Sequence, residues 1–194
     1  MNKEKLIKYF QSVLPMSPDT AARLCEKFEY QEVEKGAYLL KENKICNETR
    51  LLETGFVRSF TLNTEGVEVT TALYAAPCMV NSLQSFFKRQ PCRENLQTLT
   101  DCKIWSMTYA DVQTQFHSIP EFREWGRMML INSNALLQDR VFGMIQFTAE
   151  QRYVQLIETQ PELFQHVPLK MIASYLGVTD TSLSRIRQAF AKNR

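Results

Sequence analysis

LKMIASYLGVTDTSLSRI, residues 169–186, carries the spacing of two short helices joined by a tight turn. Ile172 and Leu176 stand four apart and form the buried face of the first helix. Ala173 is small, as the crossing point of two close helices requires. Gly177 stands at the turn, where the backbone needs a positive φ. Val178 plugs the turn into the core, and Thr179 is a natural N-cap for the second helix. Leu183 and Ile186, three apart, are that helix's buried face. Every restricted position of a helix-turn-helix therefore holds an allowed residue.

The second helix exposes what a reading helix needs. Its first turn presents Asp180, Thr181 and Ser182, with Ser184 and Arg185 behind them, and the N-terminal residues of such a helix reach base edges in the major groove. Arg185 can donate two bonds to a guanine, and Asp180 can accept from a cytosine amine. Lys170, Thr179, Arg187, Lys192 and Arg194 are placed for phosphates, which fix register without reading sequence. Charge supports this. Residues 1–167 carry 18 Lys+Arg against 20 Asp+Glu, net −2, whereas residues 168–194 carry five basic residues against Asp180 alone, net +4. A basic end on a slightly acidic body points to a polyanion contact, and together with the reading helix it predicts double-stranded DNA as partner.

Working back from that motif, the chain divides into three parts. Residues 1–30 read as two helices, with Leu6, Ile7, Phe10, Val13 and Leu14 on one stripe and Ser17-Pro18 opening the second. Residues 30–108 read as short strands: Tyr38–Leu40, Phe56–Leu62, Val67–Tyr74 and one or two more in Asn95–Met107. The Asn63–Gly66 turn makes a hairpin, Ser82–Phe87 one or two helical turns, and the whole a small barrel or jelly roll. From 109 the chain is helical. A long helix opens at Ile119-Pro120, with Phe122, Trp125, Met129 and Leu136 at spacings of three, four and seven and Val141 later, which predicts a helix–helix seam between two copies. Leu130, Ile131 and Leu137 lie off that stripe, so the helix has both a barrel and a partner to cover; Asn132 and Ser133 interrupt it. The predicted fold class is α+β, with an N-terminal β-roll over 1–118, a dimerisation helix over 119–146 and an all-α helix-turn-helix part over 147–194.

Composition closes off other classes. The 194 residues are 44% hydrophobic and 23% charged, an ordinary globular balance. No run approaches 18 apolar residues, and the N-terminal MNKEKLIKYFQ lacks an uninterrupted apolar core, so no membrane and a cytoplasmic location are expected. Cysteines 25, 46, 78, 92 and 102 form no CxxC pair and predict free thiols, with no disulfide framework and no metal site. The histidines, His117 and His166, fall outside the β region, so a cupin-type metal enzyme has no ligands. Nucleophile-elbow, P-loop and zinc-protease motifs are absent, and no enzymatic activity is expected.

The order of parts resembles that of a Crp/Fnr-type transcription regulator. The resemblance rests on IASYLGVTDTSLSRIR and on the run from Glu53-Thr54-Gly55 through the Asn63–Gly66 turn. It implies a β-roll of the cyclic-nucleotide-binding type, a homodimer, a two-fold operator and contact with RNA polymerase. The sequence departs from that family at the effector pocket. Cyclic-nucleotide-binding members open a short helix with Gly-Glu and place an Arg about ten residues later, ahead of Ser or Thr, so that helix N–H groups and the Arg hold the phosphate. An ungapped register puts Asn81 and Ser82, followed by Leu83, at the helix start, Cys92 at the Arg position and Arg93 one residue beyond. These five are the candidate pocket residues, and cyclic nucleotide is a disfavoured effector. No cofactor is expected: only Cys25 precedes Cys46, too few for the family's N-terminal iron–sulfur cluster. The competing reading is a small-molecule-binding module whose helical end docks a protein instead of DNA.

Overall fold

The computed structural model describes residues 3–192; Arg194 lies outside the described residues. Two N-terminal helices, α1 (Glu4–Val13) and α2 (Pro18–Cys25), precede eight strands: β1 (Glu29–Val33), β2 (Tyr38–Leu40), β3 (Glu48–Thr54), β4 (Phe56–Leu62), β5 (Glu68–Ala75), β6 (Cys78–Val80), β7 (Asn95–Thr98) and β8 (Cys102–Thr108). Helix α3 (Leu83–Lys88) interrupts the strands after β6. Six helices follow: α4 (Tyr109–Ser118), α5 (Pro120–Gln146), α6 (Ala149–Thr159), α7 (Leu163–His166), α8 (Leu169–Leu176) and α9 (Asp180–Lys192). The strands make two antiparallel four-stranded sheets, ordered β1-β8-β3-β6 and β2-β7-β4-β5, which face each other as a jelly roll.

Local chemistry fixes the boundaries. Ser17 Oγ accepts from the Thr20 N–H at 3.1 Å ahead of Pro18 and starts α2. Thr148 and Gln151 exchange reciprocal bonds of 2.8 and 3.2 Å, a capping box that starts α6. Between β4 and β5, Asn63 Oδ1 accepts from the Glu65 and Val67 N–H groups, an Asx turn that sets the hairpin from Phe56↔Ala75 to Leu62↔Glu68. At Gly55 (φ +104) a Cβ would stand 2.6 Å from Cys102 Sγ and 2.7 Å from the Asp101 carbonyl, so no larger residue fits.

The first core fills the roll and the space beneath α1, α4 and the start of α5. Phe10 packs tilted against Trp125 at 4.4 Å between centroids, and Phe122 lies within 6.3 Å of Phe10 and 4.8 Å of Phe116. Here the expected seam needs correction. Phe122 and Trp125 are only 2% and 5% exposed, covered by α1 of the same chain, and Met129 packs on the same core. The apolar stripe of α5 is thus spent inside the protomer over its first two and a half turns. The free apolar face comes later: Ile131, Val141, Phe142 and Ile145 are 48–74% exposed. With Asn134 and Gln138, Ile131, Val141 and Ile145 recur at alternating steps of three and four, the spacing of a two-helix seam. Leu136, 70% exposed, sits on the other side of the helix.

A second core builds the C-terminal helices. Ile172, Ala173, Leu176, Leu183 and Ile186 bury with Tyr153, Leu156, Leu163 and Val167, as the sequence spacing predicts for the first five. This core also takes in Leu99 and is flanked by Phe56, Leu73 and Ala75 of the roll. The C-terminal helices therefore pack on the sheet edge. Strand β5 is that edge, and its Thr70 N–H donates to Ser174 Oγ of α8 at 2.9 Å, while His166 stacks on Phe56 at 4.7 Å. No helix among the described residues is long and apolar enough to cross a membrane.

Candidate nucleic-acid interface and effector cavity

The turn between α8 and α9 follows the predicted chemistry. Gly177 takes φ +70 and ψ +34, and the Val178 N–H donates to the Ala173 carbonyl at 3.0 Å, closing the helix end. Thr179 Oγ1 accepts from the Ser182 N–H at 3.2 Å and caps α9. Two arginines hold α8 from outside: Arg152 donates to the Leu176 carbonyl at 3.1 Å, and Arg140 to the Tyr175 carbonyl at 3.2 Å. Their charge neutralises the negative end of α8. A Cβ at Gly177 would stand 2.8 Å from Met144 Cε, the movable end of a flexible side chain. The backbone angle therefore sets the cost: Gly177→Ala should lower stability by about 1–2 kcal/mol, read from urea unfolding of the full chain.

Leu183 and Ile186 bury one side of α9, with Phe190 half-buried beside them. At 100° per residue, Thr181, Ser184 and Arg185 point directly away from that side, and all three are exposed. Gln188 shares their face and is exposed too; the sequence reading missed it, although steps of three, four and seven from Arg185, Ser184 and Thr181 place it there. A Gln can bond an adenine edge twice. Asp180 and Arg187 flank this face on one side and half-buried Ser182 on the other. Asp180 lies in the first turn, where a carboxylate is favourable to the helix in itself. Lys170 and Lys192 are exposed at the start of α8 and the end of α9. The described residues thus present an exposed polar face on α9 with cations around it.

The candidate effector residues divide. A cavity of about 680 Å³ opens between the roll, the helices α1, α3 and α4, and the side of α5 opposite its free apolar face. Asn81 and Leu83 line it; Ser82, Cys92 and Arg93 do not. Asn81 has no positive φ. Its Oδ1 instead accepts from the Arg50 N–H at 3.0 Å and ties the loop to β3. Ser82 is buried and starts α3 without a side-chain cap bond. The Cys92 thiol is buried and donates to the Lys41 and Glu94 carbonyls, while its neighbour Arg93 faces solvent. The phosphate cassette of the resembled family is therefore not assembled at these positions.

Other residues form the cavity. Phe28, Phe86, Phe116, Phe122, Met129 and Leu137 make apolar walls, and Thr71, Tyr74, Asn132 and Ser133 supply polar points. Asn132 and Ser133, which interrupt the stripe in sequence, face this space and not a partner helix. Burial pushes the Cys78 thiol up to about 12 and also raises Tyr9 to about 12; it raises the Tyr74 phenol as well, with Glu94 adding to the effect. These lining groups are all neutral at physiological pH. Among the described residues no group of three or more His, Cys, Asp or Glu is arranged to hold a metal ion.

Comparison with known proteins bears on both sites. Residues 30–118 match the family model described as the cyclic nucleotide-binding domain. No curated protein matches the chain. Among solved structures, the chain is similar to the c-di-GMP-responsive global regulator CLP of Xanthomonas campestris, with 14% identity over 91% of this chain and 93% of that one and a TM-score of 0.71. FixK2 of Bradyrhizobium japonicum gives 16% identity, coverages of 86% and 85%, and a TM-score of 0.69. A CooA variant of Carboxydothermus hydrogenoformans gives 21% identity, coverages of 88% and 79%, and a TM-score of 0.67. Residues 30–118 thus match the cyclic nucleotide-binding domain model, and the chain as a whole shares the fold of these three solved structures.

Proposed function

We propose that the protein is a homodimeric, sequence-specific DNA-binding transcription regulator with a sensor cavity that does not take a cyclic nucleotide in the family's usual way. The observation that carries this reading is the exposed face of α9, where Thr181, Ser184, Arg185 and Gln188 point away from the buried Leu183 and Ile186. Side chains of these types on one helix face suit base edges. Lys170, Thr179, Arg187 and Lys192 are the phosphate contacts, with Arg194 beyond the described residues. The free apolar face of α5 is the dimer seam, and two copies present two reading helices to half-sites one DNA turn apart, roughly 34 Å. The similarity to the global regulator CLP, which links cell–cell signalling to virulence gene expression, supports a regulatory role and, with it, contact with RNA polymerase. The regulator fold also speaks against an enzyme.

Selection of genomic fragments by the purified protein at near-physiological salt tests this reading. A palindrome with half-sites one helical turn apart is the expected result. Enrichment no better than random DNA overturns it and favours a module that docks a protein through its helical end. The phosphate roles have their own check: Arg187→Ala or Lys192→Ala should weaken all DNA sequences alike and flatten the dependence of binding on salt by roughly one unit of log–log slope per half-site. An effect confined to the selected sequence would assign these residues to base readout instead.

A further inference from the structure

The cavity beside α5 has a lining that selects a chemical class. Its volume of about 680 Å³ suits a small molecule. Its walls are mostly aromatic and aliphatic, and the titratable groups Tyr9, Tyr74 and Cys78 stay neutral there. Glu162 is the single acidic residue on the lining among the described residues and Arg140 the single basic one. The Arg140 guanidinium already stacks on the Tyr175 ring at 4.1 Å and donates to the Tyr175 carbonyl. Arg93, one residue beyond the cassette Arg position, faces solvent. A phosphate brought into this space would be a poorly matched buried charge.

Trp125 supplies the positive half of the argument. It lines the cavity, is only 5% exposed, and its indole Nε1–H is buried without a hydrogen-bond partner. An orphaned buried donor costs about 1–3 kcal/mol, and an acceptor on a bound molecule recovers it once the side chains that cover the nitrogen shift aside. We propose that the cavity binds an uncharged, mainly apolar molecule whose hydrogen-bond acceptor meets the Trp125 indole N–H. This inference rests on reading the cavity as the regulator's sensor site.

The probe is prodan, an uncharged naphthalene ketone whose emission shifts to the blue in apolar surroundings. Titrated into the full chain, it should bind saturably, one per chain, and resist displacement by millimolar cyclic AMP. Trp125→Phe keeps the ring and removes the donor, and should weaken binding roughly fivefold. Ser133→Phe, at a half-buried helix position on the lining, fills the space and should weaken it by about tenfold or more; it carries the test alone if Trp125→Phe does not fold. Absence of saturable binding, equal affinity in the folded variants, or displacement by micromolar cyclic AMP overturns the proposal. DNA selection distinguishes this failure from that of the regulator reading. A chain that takes prodan but selects no DNA keeps the ligand class and loses the regulator; a chain that selects a palindrome but refuses prodan does the reverse.

Discussion

A chain carrying both Val141→Glu and Ile145→Glu is expected to sediment as a folded monomer, and the parent as the proposed dimer. Both side chains lie on the free face of α5, 49% and 74% exposed, and neither lines the cavity. Burying an aliphatic side chain of this size is worth about 1.5–3 kcal/mol, and each dimer loses four of them. Four carboxylates brought together in the seam add repulsion. The summed loss exceeds what a seam of one helix per chain can spare, so a dissociation constant weakened by about a thousandfold or more is expected. Within one chain the cost is small, because two glutamates four apart on a solvated helix destabilise it by only a few tenths of a kcal/mol. Trp125→Glu should behave oppositely. It places a carboxylate in a core sealed by Phe10 and Phe122, and the expected outcome is loss of the folded state, seen as a collapsed thermal transition. Sedimentation velocity and circular dichroism on the two variants separate the faces of α5. An unchanged mass for the double glutamate chain would place the seam elsewhere.

That contrast also marks where the sequence could be read and where it could not. The helix-turn-helix was legible because each of its constraints is local. Gly177, Thr179 and the Ile172–Leu176 and Leu183–Ile186 pairs each answer to neighbours within five residues. The seam was not legible, because helical spacing shows which residues share a face and not what covers it. Phe122, Trp125 and Leu136 form one series in sequence, yet α1, more than a hundred residues earlier, covers the first two and leaves the third exposed. Strand β3 escaped for a related reason. Thr49, Arg50, Leu51 and Leu52 are all buried, so no alternation marks it, and Arg50 reads as a break. The three residues of β6 are too few to make a pattern. The cavity is the most non-local feature: its lining runs from Tyr9 to Tyr175, and an ungapped register could transfer only the cassette positions, of which Asn81 and Leu83 line the space. Gln188, by contrast, could have been found from helical steps alone.

Arg185→Ala is expected to remove sequence preference while leaving general DNA affinity in place. Arg185 stands on the exposed face of α9, opposite the buried Leu183 and Ile186, and no carboxylate pairs with it in an ion bridge among the described residues. Its guanidinium can offer two parallel donors to a guanine edge, a contact worth about 1–3 kcal/mol of discrimination. A dimer on a palindrome makes that contact twice, so the loss on the selected operator is expected to approach twice that of one half-site, provided the two sites act independently. One charge per chain also leaves the electrostatic component, so binding to random DNA should weaken modestly. Lysine at the same position separates the two effects: it keeps the charge and loses the bidentate fork, so Arg185→Lys should restore random-sequence affinity more fully than operator affinity. Titration of both variants on the selected palindrome and on a scrambled duplex, at matched salt, gives the comparison. Equal losses on the two duplexes would make Arg185 a phosphate contact and move base readout to Thr181, Ser184 and Gln188 on the same face.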